Sequence, residues 1–215
     1  MKYSAAVFDM DGTILNTIDD LAAATNYSLA RNGLPERTTD EVRRFVGNGI
    51  QKLIERAVPA GTGDDMIARV HEAFTSYYSH HCTDLTKPYD GISGLLSFLR
   101  AGGCRTAVVS NKDDYAVQTL ARVYFPAQFD AVVGVRQGMQ KKPAPDTVFE
   151  VMKQLGVAPS SCVYIGDSEV DIQTAKNAGI PCISVSWGFK GRKFLEEHKA
   201  SCIADTAAEL RKFLA

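Results

Sequence analysis

From about residue 105 onward, short apolar runs alternate with amphipathic helical patterns. The runs fall at 106–109, 131–135, 163–165 and 182–185, with helical patterns at 115–124, 146–155 and 169–178 between them. Runs this short, bounded by glycine or polar residues, are the mark of strands buried on both faces. Their alternation with helices predicts a parallel sheet with helices on both sides. A last helix is expected at about 207–213, and one more run of the same kind, 5–8, stands near the start of the chain.

The stretch from 16 to 86 is different. It shows almost no strand-like alternation and reads as helices at 18–31, 40–45, 50–58 and 64–81, punctuated by Pro35, Pro59, Gly61 and Gly63. The economical architecture is α/β: a doubly wound parallel sheet, with an all-helical block inserted after its first strand. The core is expected over 1–15 and 87–215 and the insertion over 16–86, with chain crossings near 15–17 and 83–90.

Composition narrows the partners. Of 215 residues, 45% are apolar, enough for a substantial core, and the formal net charge of -1 lacks the basic excess of a nucleic-acid binder. No apolar stretch reaches the length of a membrane span, and the first residues have no secretory pattern. Cys82, Cys104, Cys162, Cys182 and Cys202 form no CxxC pair, so reduced thiols and a cytoplasmic location are expected. A monomer or a homodimer is compatible with the pattern.

Ligands of open parallel sheets bind beyond the carboxyl ends of the strands. The first strand ends in Asp9-Met10-Asp11-Gly12-Thr13, the next in Ser110-Asn111, and a later one in Gly166-Asp167, with Asp171 four residues on. Lys142 precedes Pro143 in the connection after 131–135. Asp9 and Asp11, two apart in extended backbone, point to one side. Close carboxylates repel, and a divalent cation such as Mg²⁺, which prefers hard oxygen ligands, removes that cost. Asp9 and Asp167 are the leading ligand candidates. Ser110 and Asn111, read as a strand-to-helix turn, are placed to bind phosphate, and Lys142 to supply a point charge.

In these four segments the chain resembles the haloacid dehalogenase superfamily. Asp9-Met10-Asp11-Gly12-Thr13, Ser110-Asn111, Lys142-Pro143 and Gly166-Asp167-Ser168-Glu169-Val170-Asp171 are similar to its four motifs, in order. The helical block resembles the family's C1-type cap. The resemblance implies an Mg²⁺-dependent phosphatase acting on a small-molecule phosphate ester. Asp9 would be the nucleophile that forms an aspartyl-phosphate, and Asp11 the general acid and base. Asp9, the Asp11 carbonyl and Asp167 would hold the metal, supported by Asp171. Ser110, Asn111 and Lys142, with Gly12 and Thr13 beside them, would bind the phosphoryl group. Asp11 favours phosphate esters over the dehalogenase members, which lack an acid there.

Within that family the segment Val42-Arg43-Arg44-Phe45-Val46-Gly47-Asn48-Gly49-Ile50, together with Pro88-Tyr89-Asp90-Gly91 and Ser110-Asn111-Lys112, is similar to the phosphoglycolate phosphatases. Arg43, Arg44, Asn48 and Lys52 are then candidates for the non-phosphate end of the substrate, 2-phosphoglycolate. A sugar phosphomutase, a pyrophosphatase, a nucleotidase and a non-catalytic regulatory protein on this fold are the rival readings. Trp187-Gly188 reads as a packing pair.

Overall fold

The computed structural model describes residues 1–215. In chain order the elements begin with β1 (Ala5–Phe8), β2 (Leu15–Asn16), α1 (Ile18–Arg31), α2 (Thr39–Phe45), α3 (Ile50–Ala57) and α4 (Asp64–His81). They continue with β3 (Lys87–Pro88), α5 (Ile92–Ala101), β4 (Arg105–Asp113), α6 (Asp114–Tyr124), β5 (Ala131–Val135) and α7 (Asp146–Leu155). The last are β6 (Cys162–Gly166), α8 (Glu169–Ala178), β7 (Cys182–Val185), α9 (Gly191–Glu197), β8 (Ile203–Ala204) and α10 (Ala207–Leu214). The chain divides into two compact units, one of Met1–Asn16 with Pro88–Ala215 and one of Thr17–Lys87.

The first unit is an α/β fold on a six-stranded sheet in the order β5-β4-β1-β6-β7-β8, with every pairing parallel. β1 lies at its centre, and all four of its residues are fully buried. That burial explains why β1 reads as a continuous apolar run rather than an alternation. Its pleat sends Ala5 and Val7 to the face covered by Val148, Val151, Met152 and Leu155 of α7 and by Ala175 and Ala178 of α8. Tyr164 of β6 points to that same face and is completely buried.

Three features depart from the sequence expectation. The 106–109 run extends to Asp113, with a register shift against β5 between Val109 and Asp113, so Ser110 and Asn111 lie within the strand rather than in a turn after it. Two helices, α5 and α9, are absent from the sequence expectation; each starts at a glycine or lysine with no side-chain cap, although α5 carries an apolar stripe of Ile92, Leu95, Leu96 and Leu99. β8 adds an edge strand only two residues long.

The second unit is all helical. α1 and α4 pack together, with Tyr27 of one stacked on Tyr77 of the other at 4.2 Å, and Leu21, Ala24 and Leu29 of α1 and Val70, Phe74 and Tyr78 of α4 are buried. α2 opens on a capping box, in which the Thr38 N–H donates to Glu41 Oε2 at 2.8 Å and the Glu41 N–H to Thr38 Oγ1 at 3.3 Å. The buried Asp20 of α1 ties down the segment that follows α4. Its Oδ1 accepts from the Leu85 N–H at 2.9 Å, and its Oδ2 accepts from the Thr86 N–H at 2.8 Å and the Thr86 hydroxyl at 2.7 Å.

Asp20→Ala removes the acceptor for three donors, two of them on the buried Thr86. Urea unfolding is expected to show a loss of about 2–3 kcal/mol, the cost of leaving buried donors unsatisfied. An unchanged midpoint would mean that water replaces the carboxylate at no cost.

Candidate active site

The strand ends of the α/β unit bring four segments to one place. Asp9 follows β1, and its N–H donates to the Ile165 carbonyl of β6 at 2.8 Å, so the residue is held as a continuation of the sheet. Lys142 comes from the connection between β5 and α7, and its peptide bond to Pro143 is cis. Its ammonium is buried and donates to Asp9 Oδ1 at 2.7 Å, Asp171 Oδ1 at 2.8 Å and the Tyr164 hydroxyl at 2.9 Å. Three partners match its three donors.

Asn111 sets that geometry. Its Oδ1 accepts from the Lys142 N–H at 2.7 Å, and its Nδ2 donates to the Lys142 carbonyl at 3.0 Å. Its amide thus holds the backbone of Lys142. Ser110 Oγ accepts from the Lys112 N–H at 3.2 Å, which tightens the irregular end of β4.

Asp171 sits in the first turn of α8, where the helix dipole favours a carboxylate. Both of its oxygens are engaged. Oδ1 takes Lys142 and, at 3.0 Å, the hydroxyl of Tyr164; Oδ2 takes the Ser168 hydroxyl at 2.6 Å and the Ser168 N–H at 3.1 Å. Those four bonds fit a supporting role better than direct coordination of a cation. Asp167 lies at the start of the same turn, and its Oδ2 accepts from the Phe189 N–H at 2.7 Å. The backbone closes around it at two glycines. A Cβ on Gly12, where φ is +83°, would sit 2.4 Å from Asp167 Oδ2, and one on Gly188 would sit 2.3 Å from Asp167 Cβ. Only glycine allows either approach. Trp187 does more than pack, since its indole N–H donates to the Thr13 carbonyl at 3.0 Å. The Thr13 hydroxyl itself is buried without a hydrogen-bond partner.

Asp9, Asp167 and Asp171 each offer a carboxylate oxygen within 4.8 Å of the others, and all three residues are buried. Asp9 is raised to about 7, chiefly by burial, with Lys142 pulling against the rise and Asp171 and Asp11 adding to it. Asp167 is raised well above the usual carboxylate range, first by burial and then by Asp171 and Asp9. Burial alone would lower Lys142, but Asp171 and Asp9 more than reverse this and raise it. Hard oxygen donors that are held close together and disfavour their own charge are what a small divalent cation such as Mg²⁺ suits. Asp9 and Asp167, with the backbone carbonyl of Asp11, would hold it.

Two site residues were not singled out in the sequence reading. Tyr164 looked like one more apolar strand residue, yet its hydroxyl bridges Lys142 and Asp171. Lys112 entered only as part of the Ser110-Asn111-Lys112 likeness, yet its buried ammonium lies 3.3 Å from Asp11 Oδ1. Arg43, Arg44, Asn48 and Lys52 belong to the helical unit. There Arg43 pairs with Asp40 at 2.5 Å, Lys52 with Glu55 at 2.6 Å, and Asn48 Oδ1 accepts from Arg56 at 2.8 Å.

The chain is similar to known proteins along most of its length. The family model described as haloacid dehalogenase-like hydrolase matches residues 6–185. The phosphoglycolate phosphatase of Pseudomonas savastanoi pv. phaseolicola is 34% identical over 97% of this chain and 77% of its own length. The N-acetylmuramic acid 6-phosphate phosphatase of Pseudomonas aeruginosa is 31% identical over 88% of this chain and 84% of its own. A crystal structure of a Lactobacillus delbrueckii subsp. bulgaricus protein, provisionally named a phosphoglycolate phosphatase, superposes with a TM-score of 0.94. It is 40% identical and covers 100% of this chain and 99% of its own.

The carboxylates make a pH-dependent prediction. Raised values in the fold mean that Asp9 and Asp167 favour folding while protonated, and lose that contribution as pH rises toward their folded values. A divalent cation must displace those protons at low pH and need not at high pH. Thermal unfolding should therefore show a larger Mg²⁺-induced rise in Tm at about pH 8 than at about pH 5. An equal rise at both would place the ion elsewhere.

Proposed function

Since the chain belongs to the haloacid dehalogenase-like hydrolases, we propose that it is a magnesium-dependent phosphatase that works through an aspartyl-phosphate on Asp9, with 2-phosphoglycolate as its substrate. The family and its relatives make it a phosphoric monoester hydrolase. The observation that carries the mechanism is Asp9 itself. A buried carboxylate at the end of the central strand, 2.7 Å from a buried ammonium and two residues from a second acid, is arranged to attack rather than to support the fold.

The reaction divides into two displacements. An Asp9 oxygen attacks phosphorus, and the bond from phosphorus to the ester oxygen breaks. Asp11 gives its proton to the departing oxygen. Water then attacks the phosphorus of the aspartyl-phosphate, Asp11 takes a proton from it, and Asp9 is released with inorganic phosphate. Lys142 carries the charge on the phosphoryl oxygens, Asn111 keeps Lys142 in place, and Ser110 is the further phosphoryl contact. Bound Mg²⁺ supplies positive charge to the phosphoryl group and keeps Asp9 ionised. Positioning and charge neutralisation account for most of such catalysis.

The substrate rests on likeness to proteins named phosphoglycolate phosphatase. A sugar phosphate is the second reading, because one relative is named for N-acetylmuramic acid 6-phosphate. Arg43 and Asn48 of the helical unit are offered as substrate contacts on the strength of the sequence likeness, and five cysteines, all free thiols, agree with a cytoplasmic setting.

Phosphate release from 2-phosphoglycolate, hexose phosphates, pyrophosphate and nucleoside monophosphates, with Mg²⁺ and with EDTA, tests both parts. Mg²⁺-dependent release that favours 2-phosphoglycolate is expected; a different favourite keeps the chemistry and changes the substrate. Asp9→Asn should lower kcat roughly 10⁴-fold or more, and Asp11→Asn by about 10²–10⁴-fold. Wild-type turnover in Asp9→Asn would remove it as the nucleophile.

A further inference from the structure

Asp167 is held from one side by a short segment of the chain. β7 ends at Val185, and residues 186–190 lead from it into α9. Three successive residues of this segment touch the site. The Trp187 indole N–H donates to the Thr13 carbonyl at 3.0 Å. Gly188 comes so close that a Cβ on it would lie 2.3 Å from Asp167 Cβ and 2.4 Å from the Gly12 carbonyl oxygen. The Phe189 N–H donates to Asp167 Oδ2 at 2.7 Å.

Both ends of the segment are fastened to one residue. Before it, the Ser186 N–H donates to the Ala204 carbonyl at 3.0 Å and the Ser186 hydroxyl donates to Asp205 Oδ1 at 2.5 Å. After it, Arg192 grips Asp205 with two bonds, Nε to Oδ1 at 2.9 Å and Nη2 to Oδ2 at 2.6 Å. Such forked pairs fix geometry as well as charge. Asp205 follows β8, two strands away from Asp167, or about 10 Å at the usual strand spacing. It is half-exposed, and an exposed ion pair adds little to stability by itself. What gives the pair meaning is that it closes a loop pressing on a carboxylate of the metal site. A hydrogen bond to one oxygen of that carboxylate sets its rotation, and hence the direction from which it meets a cation.

We propose that residues 186–192 form a strap, buckled by Asp205, that presets Asp167 for a divalent cation, with Trp187 as the positioning residue that pins the strap to the Thr13 backbone. This role rests on the metal reading of Asp167 and adds to it a part of the chain that tunes metal affinity from outside the site. The strap holds Asp167, which follows β6, through Phe189, and it holds the segment after β1, which carries Asp9 and Asp11, through Trp187. Residues from two strand ends that must share one ion thereby keep their spacing.

Mg²⁺ affinity, measured without turnover by displacement of Mn²⁺ in electron paramagnetic resonance, tests this role. Trp187→Phe keeps an aromatic ring and loses the N–H, and it should weaken Mg²⁺ binding about tenfold or more. Asp205→Ala and Arg192→Ala open the buckle from either side, and each should weaken binding about threefold to tenfold. These two variants separate the strap from a long-range field. Through the field alone, losing the positive charge of Arg192 would tighten cation binding, and losing Asp205 would weaken it. Weaker binding in both supports the strap, whereas opposite shifts overturn it. Thermal unfolding without metal shows that each variant folds; if Trp187→Phe does not, the two surface variants carry the comparison. Wild-type affinity in the variants, with or without a lower metal-free Tm, makes the strap a support for the fold only and overturns the proposal while leaving Asp167 as a ligand. An affinity that Asp167→Asn does not weaken overturns the metal reading first, and the strap's role with it.

Discussion

The site is organised around the cost of crowding buried carboxylates. Asp9, Asp167 and Asp171 have oxygens within 4.8 Å of one another. At that distance each ionised pair repels by about 3.5 kcal/mol with an effective dielectric constant near 20. Such a repulsion is comparable to a large share of a domain's net stability, so it must be offset locally. Lys142 offsets part of it by touching two of the three carboxylates directly. Burial first, and then the neighbouring carboxylates, still hold Asp9 and Asp167 above the usual carboxylate range. A divalent cation is the group of the right charge to remove the remainder.

Much of the surrounding structure can be read as the means of holding that one ammonium and those acids still. Asn111 grips both sides of the Lys142 backbone, and Tyr164 fills the third donor of its side chain. Asp171 serves two masters, binding Lys142 through one oxygen and closing the first turn of α8 through the other. Fixing Asp171 therefore fixes Lys142, and Lys142 fixes the orientation of Asp9. Gly12 and Gly188 let two stretches of backbone press on Asp167 where any side chain would collide. A cluster built this way resists rearrangement, which is what catalysis by fixed charges needs.

Much of this was legible in the sequence, because strand ends in a parallel sheet are marked by where an apolar run stops. β1, β5 and β7 begin and end where their runs do. The acids that follow β1 and β6 came with them. The parts that escaped have specific causes. β4 runs on through Ser110-Asn111-Lys112 with a shift in register, and periodicity cannot reveal a shift. So Lys112 was passed over, and the grip of the Asn111 amide on the Lys142 backbone could not be seen. Tyr164 sits in a run of buried strand residues, and nothing in that pattern says that its hydroxyl meets an ion pair. α9 offers neither a cap nor a strong apolar stripe, for only Leu195 is buried.

The two lysines also bear on the order in which ligands join. Asp9, Asp11, Asp167 and Asp171 are four carboxylates set against the ammonium groups of Lys112 and Lys142. With all of them ionised, the site by itself carries an excess of two negative charges and would repel a phosphate dianion. A divalent cation brings it to neutrality, so the phosphoryl group then meets directed donors rather than a net negative field. Mg²⁺ should therefore precede the ester.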